Sequence, residues 1–142
     1  MALNVLVVDD SAVMRGIIIK TLRLSGLSLS EVHQAANGEE GLKMLDQHWV
    51  DLVMVDINMP VMNGEEMLDR MRSNPETAGL PVLVVSTESS ETRIEALAQK
   101  GARFVHKPFT PETLRAKIIE MTGVSDESEF GAYTAAGSGP DF

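Results

Sequence analysis

The sequence predicts an α/β protein in which a parallel sheet lies between two layers of helices. The first observation is three nearly continuous aliphatic runs, at residues 3–8, 52–55 and 82–85, that lack the alternation of half-exposed strands. Such runs are typical of strands buried on both faces of a parallel sheet. The second observation is that helix-start and helix-stop signals fill the intervals, so strands and helices alternate along the chain.

Two weaker β patterns, at about 32–35 and 103–106, complete a set of five strands and suit the edges of the sheet. Each strand is followed by a segment with helix signals: polar caps, Glu at capping-box spacing, Pro at a first helical position and Gly at helix ends. These segments run from about 11 to 25 before Gly26, from Asn37, from Asn63, from about 90 to 100 before Gly101, and from Thr110 and Pro111 to near Gly123.

The connections between parallel strands are right-handed, so the helices must cover both faces of the sheet. With the three aliphatic runs in the centre and the weaker strands at the edges, the expected strand order is 2-1-3-4-5. This order defines a flavodoxin-like (βα)5 three-layer sandwich. Its ligands bind beyond the carboxyl ends of the strands, where the first and third strands lie side by side.

Polar side chains follow four of the predicted strands where those strands end. Asp9 and Asp10 follow the first strand, Asp56 the third, Ser86 the fourth and Lys107 the fifth. Taken singly, an acidic pair here is more often a helix cap, a serine a turn residue and a lysine a surface charge. Because parallel strands end at one edge, the joint pattern favours a single crevice that binds a divalent cation and a phosphoryl group.

Three carboxylates in one crevice repel one another unless a cation offsets their charge. Oxygen ligands without His or Cys favour a hard ion, and Mg²⁺ fits best, with Mn²⁺ as a possible substitute. Lys107 supplies a further positive charge for phosphoryl oxygens. Asp56 is then a candidate nucleophile that forms an aspartyl phosphate.

The composition excludes several other kinds of protein. The net charge of −9 argues against binding to nucleic acid, and no apolar run is long enough to span a membrane. The chain has no cysteine and no secretory signal, so we expect a cytoplasmic protein. We expect residues 1–122 to form one domain and residues 123–142 to be an acidic, disordered tail, whose acidic residues are Asp126, Glu127, Glu129 and Asp141.

Four stretches of the sequence together resemble the receiver domains of two-component response regulators, and in particular the single-domain, CheY-like receivers. The resemblance covers about residues 3–122. Any one of the four motifs alone would be weak, whereas the set is specific. The matching stretches are VLVVDDSAVMR from Val5, LVMVDINMPVMNG from Leu52, VLVVSTE from Val82 and FVHKPFT from Phe104.

The resemblance implies roles for the predicted crevice. Asp56 would accept a phosphoryl group from a sensor histidine kinase. Asp10 and Asp56 would ligate Mg²⁺ directly, together with the backbone carbonyl of Asn58, while Asp9 would act through water. The protein would then be a signalling switch rather than a conventional enzyme, catalysing only its own phosphorylation and dephosphorylation.

The resemblance also implies how phosphorylation is read. Ser86 and Lys107 would bind phosphoryl oxygens, and the peptide bond between Lys107 and Pro108 would be cis. Movement of Ser86 would let Phe104 turn inward and alter the surface of the fourth helix, fifth strand and fifth helix. Relatives that carry Tyr at the Phe104 position can donate a hydrogen bond there, which Phe104 cannot do. The alternative is that Phe104 is a permanently buried core residue.

Three further positions receive roles from the resemblance. Asn58 and Glu88 lie two residues after Asp56 and Ser86, and would tune the lifetime of the phosphate; the alternative for both is ordinary loop polarity. Lys117 would lie on the output face with Phe104.

We expect no output domain after residue 122, and therefore a monomer that acts by binding a protein, most simply the flagellar motor switch in chemotaxis. A single-domain relay receiver, or a regulator of a different target, is the alternative.

Two interpretations from other classes of protein fit the sequence less well. A Mg²⁺-dependent aspartyl phosphohydrolase usually has a second Asp where this chain has Asn58. A flavodoxin-like electron carrier would need a neutral loop after the first strand, whereas Asp9 and Asp10 would repel a flavin phosphate.

Overall fold

A computed structural model describes residues 2–123 of the 142-residue chain. Apart from Gly123, the predicted acidic tail lies outside the described residues. None of the helices in the described part has the length and apolar character needed to cross a membrane. The elements are β1 (Leu3–Val8), α1 (Ala12–Leu24), β2 (Leu29–Ala35), α2 (Gly38–Gln47), β3 (Leu52–Val55), α3 (Gly64–Ser73), β4 (Val82–Ser86), α4 (Glu91–Gln99), β5 (Arg103–His106) and α5 (Pro111–Thr122).

The five strands are parallel and lie in the order β2-β1-β3-β4-β5, which confirms the predicted flavodoxin-like (βα)5 fold. Val8 is paired with Ala35 on one side and with Val55 on the other. The three strands therefore end at the same level. Asp9 and Asp56, which come next in the chain, are brought to one edge of the sheet by this register.

Two apolar clusters, one on each face of the sheet, hold the helices. Leu3, Val5 and Val7 face the first cluster, which contains α1 and α5. Leu6 and Val8 face the second, which contains α3 and α4. Burying one such aliphatic side chain stabilises the fold by about 1.5–3 kcal/mol, so these clusters are the main source of stability. The alternation of inward faces along β1 explains why its sequence is apolar at every position from Val5 to Val8.

The structure extends two of the predicted strands. β2 begins at Leu29, opposite Leu3, three residues before the apolar pattern starts. The pattern missed this part because the strand is at the edge of the sheet and most of its side chains are at least partly exposed. β4 includes Ser86, which is paired with His106. Ser86 is thus the last residue of a strand rather than the first residue of a loop.

The predicted helix caps differ in detail. At α3, Asn63 and Glu66 form a complete, reciprocal capping box. At α2, Asn37 accepts a hydrogen bond from the Glu40 amide, but the Glu40 carboxylate accepts from the Ala36 amide, one residue earlier than a capping box requires. Gly101 has a φ of 84°, the left-handed conformation predicted for a residue that ends a helix.

Arg72 joins three segments around α3. Its guanidinium donates hydrogen bonds to the carbonyl oxygens of Ala78 (3.0 Å) and Leu80 (2.8 Å), between α3 and β4, and to that of Lys100 (2.8 Å) at the end of α4. Burial lowers the pKa of Arg72. Arginine nevertheless stays charged in proteins, and its fork of N–H donors suits several carbonyl acceptors at once.

Gly64, the first residue of α3, is buried against the chain that follows β3. Its amide donates a hydrogen bond of 2.8 Å to the carbonyl oxygen of Ile57. A side chain at this position would overlap the backbone carbonyl of Asp56. Glycine therefore lets α3 begin directly against the segment that contains Asp56.

We predict that Gly64→Ala lowers the free energy of unfolding by about 2–3 kcal/mol, because backbone atoms around Asp56 must move to admit the methyl group. Gly79→Ala is the matched control, since a side chain at Gly79 would meet nothing within 4 Å. That change should be neutral or slightly stabilising. Urea denaturation of both variants tests the difference. Equal stability of the two variants would contradict the close approach of α3 to Asp56.

Candidate functional site

Three carboxylates meet at the carboxyl edge of the sheet, where the sequence predicted them. Asp9 is 2% exposed, Asp56 is half-buried and Asp10 is exposed. One oxygen atom from each lies within 4.8 Å of the others. The structure therefore brings the residues after β1 and β3 together in one cluster, which is open to solvent on the side of Asp10.

Each of the two inner carboxylates divides its oxygens between a backbone amide and a lysine. Asp9 Oδ1 accepts a hydrogen bond of 2.9 Å from the Ser11 amide, and Asp56 Oδ1 accepts one of 2.8 Å from the Ile57 amide. Lys107 Nζ lies 3.4 Å from Asp9 Oδ2 and 3.6 Å from Asp56 Oδ2. The amides fix the orientation of the carboxylates, and the ammonium offsets part of their repulsion.

Lys107 reaches the cluster from the segment that follows β5. Its side chain is 14% exposed, and its amide donates a hydrogen bond of 2.9 Å to the carbonyl oxygen of Ser86. The peptide bond between Lys107 and Pro108 is cis. The end of β5 is thus attached to the end of β4, and Lys107 points back over the first and third strands.

Opposing effects act on the charge of Asp56. Burial is the main cause that raises its pKa above the ordinary value, and the nearby charge of Asp9 acts in the same direction. Lys107 and the amide of Ile57 lower it, but less strongly. A further cation among the carboxylates would therefore favour the ionised form of Asp56.

Ser86 and Glu88 belong to a hydrogen-bonded segment between β4 and α4. Ser86 is 1% exposed, and its Oγ accepts a hydrogen bond of 3.1 Å from the Glu88 amide. The Glu88 carboxylate accepts from the Ser90 amide at 3.0 Å and lies 3.4 Å from a guanidinium nitrogen of Arg93. Glu88 is therefore joined to the first turn of α4, a contact that the sequence did not reveal.

The other predicted site residues lie around this cluster. Asn58 is exposed, two residues beyond Asp56. Phe104 is partly buried against the second apolar cluster, and its ring meets that of His106 edge to face, with 4.6 Å between the ring centroids. Phe104 thus packs on the face of the sheet that carries α4.

Lys117 does not belong to the carboxylate cluster. It lies on α5, where its Nζ is 3.7 Å from Glu120 Oε1. The same glutamate oxygen accepts a hydrogen bond of 2.8 Å from Arg103 on β5. These three charged residues connect α5 to β5 at the edge of the sheet.

Sequence reasoning missed Arg15, which supports the acidic segment from α1. Its guanidinium donates hydrogen bonds to the backbone carbonyl of Asp9 (2.6 Å) and to Gln34 Oε1 (3.0 Å). The available signal is its position one helical turn after Ser11, the cap of α1. From there a long side chain can reach back to the end of β1.

The donor atoms fit the predicted magnesium ion. Three carboxylates converge within one ion's reach, and the group consists of aspartates alone. Hard oxygen ligands suit Mg²⁺ better than a transition metal. The cluster is also partly open to solvent, which suits an ion that keeps several waters.

Comparison with known proteins finds chemotaxis proteins of similar sequence. The chain is 34% identical over 126 residues to chemotaxis protein CheY1 of Helicobacter pylori, an alignment that covers 87% of this chain and 100% of the relative. It is 36% identical over 120 residues to chemotaxis protein CheY-3 of Vibrio cholerae, covering 84% of this chain and 91% of the relative.

Solved structures agree with these relatives. Chemotaxis protein CheY4 of Vibrio cholerae has a TM-score of 0.75 with this chain at 34% identity, and the match covers 85% of this chain and 99% of that chain. A CheX–CheY–BeF3–Mg complex from Borrelia burgdorferi gives a TM-score of 0.76 at 25% identity, covering 87% and 90% of the two chains.

The sequence model that describes the response regulator receiver domain family matches residues 5–119 of this chain, from β1 to α5. That span includes all three carboxylates, Ser86 and Lys107. The chain therefore belongs to the response regulator receiver domain family, and it resembles the single-domain CheY proteins within it.

Proposed function

We propose that this receiver is a phosphorylation-controlled switch in which Asp56 takes a phosphoryl group from a sensor histidine kinase. The observation that carries the proposal is the position of Asp56 Oδ2, 3.6 Å from Lys107 Nζ and within a cluster of carboxylates suited to a divalent cation. Residues 1–122 form the regulatory unit, and the acidic segment from residue 123 is appended to it.

In the transfer step, Asp56 Oδ2 attacks the phosphorus atom of the donor phosphohistidine. A new O–P bond forms while the P–N bond of the donor breaks, and the imidazole nitrogen keeps the electron pair and takes up a proton. The Ile57 amide holds Asp56 Oδ1, so the other oxygen is presented for the attack. Lys107 stabilises the negative charge on the oxygens of the transferring group.

Asp9, Asp10 and Asp56 would hold a magnesium ion, together with the backbone carbonyl of Asn58, and Mn²⁺ could replace it. When bound, the ion neutralises charge on the carboxylates and on the phosphoryl oxygens. Asp9 is fixed for this role by the Ser11 amide and Arg15, which hold its side chain and its carbonyl respectively. The chain's own contribution is thus to orient oxygen ligands before any ion binds.

Ser86 and Phe104 are the residues through which phosphorylation changes the surface of the protein in this proposal. The Ser86 hydroxyl accepts a hydrogen bond from the Glu88 amide and can still donate its own O–H to a phosphoryl oxygen, so that Glu88 is drawn along with it. The segment between β4 and α4 then moves, and Phe104 enters the space that it leaves. The surface formed by α4, β5 and α5, which includes Lys117, changes as a result. Asn58 and Glu88 border the path of the water that later hydrolyses the acyl phosphate.

The chemotaxis relatives support a role in that process, with the flagellar motor switch as the proposed target. The solved CheX–CheY complex supports the view that proteins of this kind act by binding other proteins. A relay receiver or the regulator of another target is the second possibility. In this proposal the protein is a monomer and is located in the cytoplasm.

We predict that incubation with a small phosphodonor and Mg²⁺ adds the mass of one phosphoryl group, detected by intact mass spectrometry. Asp56→Asn should abolish the gain because the amide cannot form the acyl phosphate. Asp69→Asn, which alters an exposed aspartate of α3, should keep it. A gain that persists in Asp56→Asn would contradict the assigned acceptor. Continuous turnover of phosphate monoesters would favour the phosphohydrolase instead.

We predict that Lys107→Met changes phosphorylation and Mg²⁺ affinity in opposite directions. Phosphorylation should slow because the ammonium no longer stabilises the transferring group. Mg²⁺ should bind severalfold more tightly because a competing positive charge beside Asp9 and Asp56 is gone. Calorimetry gives the affinity, and the mass assay gives the rate. Weaker Mg²⁺ binding would show that Lys107 mainly supports the shape of the cluster.

We predict that the phosphoryl mimic beryllofluoride changes the environment of Phe104. Fluorine NMR of protein labelled with fluorophenylalanine, with Phe104→Leu used to assign the signal, measures this change. Ser86→Ala should reduce the shift strongly, because it removes the hydroxyl that links the mimic to the β4–α4 segment. An unchanged Phe104 signal in the wild-type chain would identify Phe104 as a permanent core residue.

A further inference from the structure

A cleft lies at the amino edge of the sheet, opposite the carboxylate cluster. One wall is the end of α2 with the chain that leads into β3 (residues 45–51), and the other is the chain that leads from α3 into β4 (residues 75–81). The volume of the cleft is about 730 Å³, which is within the range of about 300–1,000 Å³ that ligand sites have. The cleft can therefore admit a whole side chain of another molecule.

Trp49 lines this cleft and is the only tryptophan of the chain. It is 78% exposed, whereas tryptophan is on average a highly buried residue. Its Nε1 donates a hydrogen bond of 3.0 Å to Asp51 Oδ1, and Asp51 Oδ2 accepts one of 2.8 Å from the backbone amide of Asn4. The indole ring is thus connected to β1 through Asp51, while most of its surface faces solvent.

The charged side chains that line the cleft are acidic. They are Asp46, Asp51 and Glu76, and no lysine or arginine lines it. Asp46 and Glu76 are exposed, one on each wall. Within residues 2–123, neither of these two carboxylates has a hydrogen-bond or ion-pair partner. The two walls therefore carry negative charges that the rest of the domain leaves uncompensated.

The backbone of α2 adds to this negative potential. The helix ends at the cleft, and its last turn contains no basic residue. A helix C-terminus carries a partial negative charge. Arg72 reaches the wall that contains Leu80, but its guanidinium is bonded to carbonyl oxygens and does not line the cleft.

An exposed aromatic ring beside unpaired carboxylates selects a cation as ligand. Cations bind to the faces of aromatic rings, and tryptophan binds them best. Arginine suits this site better than lysine, because its planar guanidinium stacks on a ring and donates a fork of hydrogen bonds to carboxylates. The aliphatic stem of an arginine can pack on the apolar part of the lining, which includes Val50, Leu80 and Pro81.

We propose that this cleft binds an arginine side chain that is presented by an extended segment of a partner protein. The guanidinium stacks on Trp49, and its N–H groups donate to the carboxylates of Asp46 and Glu76. Tryptophan and arginine are the residues that most often dominate the energetics of protein interfaces. The cleft is larger than one side chain, so the residues that flank the arginine also find room in it.

The location of the cleft makes this interaction independent of the proposed phosphorylation. β3 separates Asp51 from Asp56, so the two sites are about 17 Å apart. A partner bound at the amino edge of the sheet leaves Asp56 accessible at the carboxyl edge. The cleft would therefore hold a partner in both the phosphorylated and the unphosphorylated protein.

The fluorescence of Trp49 in the full-length chain tests this proposal, because the only tryptophan lies in the cleft. The probe is a pentapeptide with blocked ends, with arginine at its centre and alanine elsewhere. The control peptide has citrulline at the centre, which keeps the shape of arginine and removes its charge. We expect a saturable change in fluorescence with the arginine peptide, and about tenfold weaker binding of the citrulline peptide.

Substitutions in the two walls locate the binding. Asp46→Asn and Glu76→Gln should each weaken binding of the arginine peptide about threefold, because each removes one exposed charge pair. Trp49→Leu should weaken it about tenfold, as measured by calorimetry, because the ring is lost. Glu39→Gln is the matched control, since Glu39 is exposed in the first turn of α2, at the other end of that helix. It should leave the affinity unchanged.

Equal affinities for the arginine and citrulline peptides would overturn the proposal. The pentapeptide should also bind severalfold more tightly than acetylarginine amide; equal affinities for these two would overturn the assignment to a protein segment, because a small free cation would then be the ligand. A loss in Glu39→Gln as large as that in Asp46→Asn would overturn it too, as the effect would be one of net charge. The titrations use no phosphodonor and no metal ion, so their failure is distinct from a failure of Asp56 to accept a phosphoryl group.

Discussion

Repulsion among three carboxylates at one edge of the sheet is the constraint on which this structure depends. The strand order β2-β1-β3-β4-β5 forces Asp9 and Asp56 together, and burial of Asp9 makes their charges costly. The two oxygens of each of these carboxylates have different partners. Each Oδ1 receives a backbone amide, and each Oδ2 faces Lys107. The cluster is therefore held in a shape that suits a further cation.

The central part of this arrangement could be predicted from the sequence for a physical reason. Strands buried on both faces leave a continuous apolar pattern, so β1, β3 and β4 were identified, and with them the polar residues at their ends. The edge strand β2 is half-exposed, and its start depends on backbone pairing with Leu3, which sequence patterns do not report. The fold and the residues that cluster at the sheet edge can therefore be predicted from local patterns and strand order. The limits of an edge strand cannot, because they depend on tertiary contacts.

The supporting hydrogen bonds could not be predicted from the sequence, because they join side chains to backbone groups in other segments of the chain. Arg15 reaches the carbonyl of Asp9, and Arg72 reaches three carbonyl groups. A carbonyl acceptor exists at every residue, so no residue type marks these contacts. The same holds for Gly64, where a close approach to the Asp56 carbonyl requires glycine but leaves no periodic signal.

The hydrogen bond from the Glu88 amide to Ser86 would link a phosphoryl group bound at Ser86 to the segment before α4. Ser86 Oγ accepts from the Glu88 amide, a neutral pair that contributes about 0.5–1.5 kcal/mol. A hydrogen bond to a charged phosphoryl oxygen is roughly twice as strong. Because a hydroxyl can donate and accept at once, such a bond would add to the one from the Glu88 amide. A difference near 1.4 kcal/mol changes a population tenfold, so this one bond is enough to bias the β4–α4 segment without breaking the core.

The contacts of α4 with the rest of the domain determine which part of this helix would move. Leu97 is its one fully buried residue, whereas α3 has four, so moving α4 exposes less apolar surface. The C-terminal end of α4 is held, because Lys100 lies 2.8 Å from Asp69 and its carbonyl accepts from Arg72. The N-terminal end is bonded mainly to the segment after β4, through the contact between Glu88 and Arg93. A shift at Ser86 would therefore carry the first turn of α4 with it, while the far end acts as the fixed point. Phe104 lies two residues before the carboxyl end of β5, on the face of the sheet that carries α4.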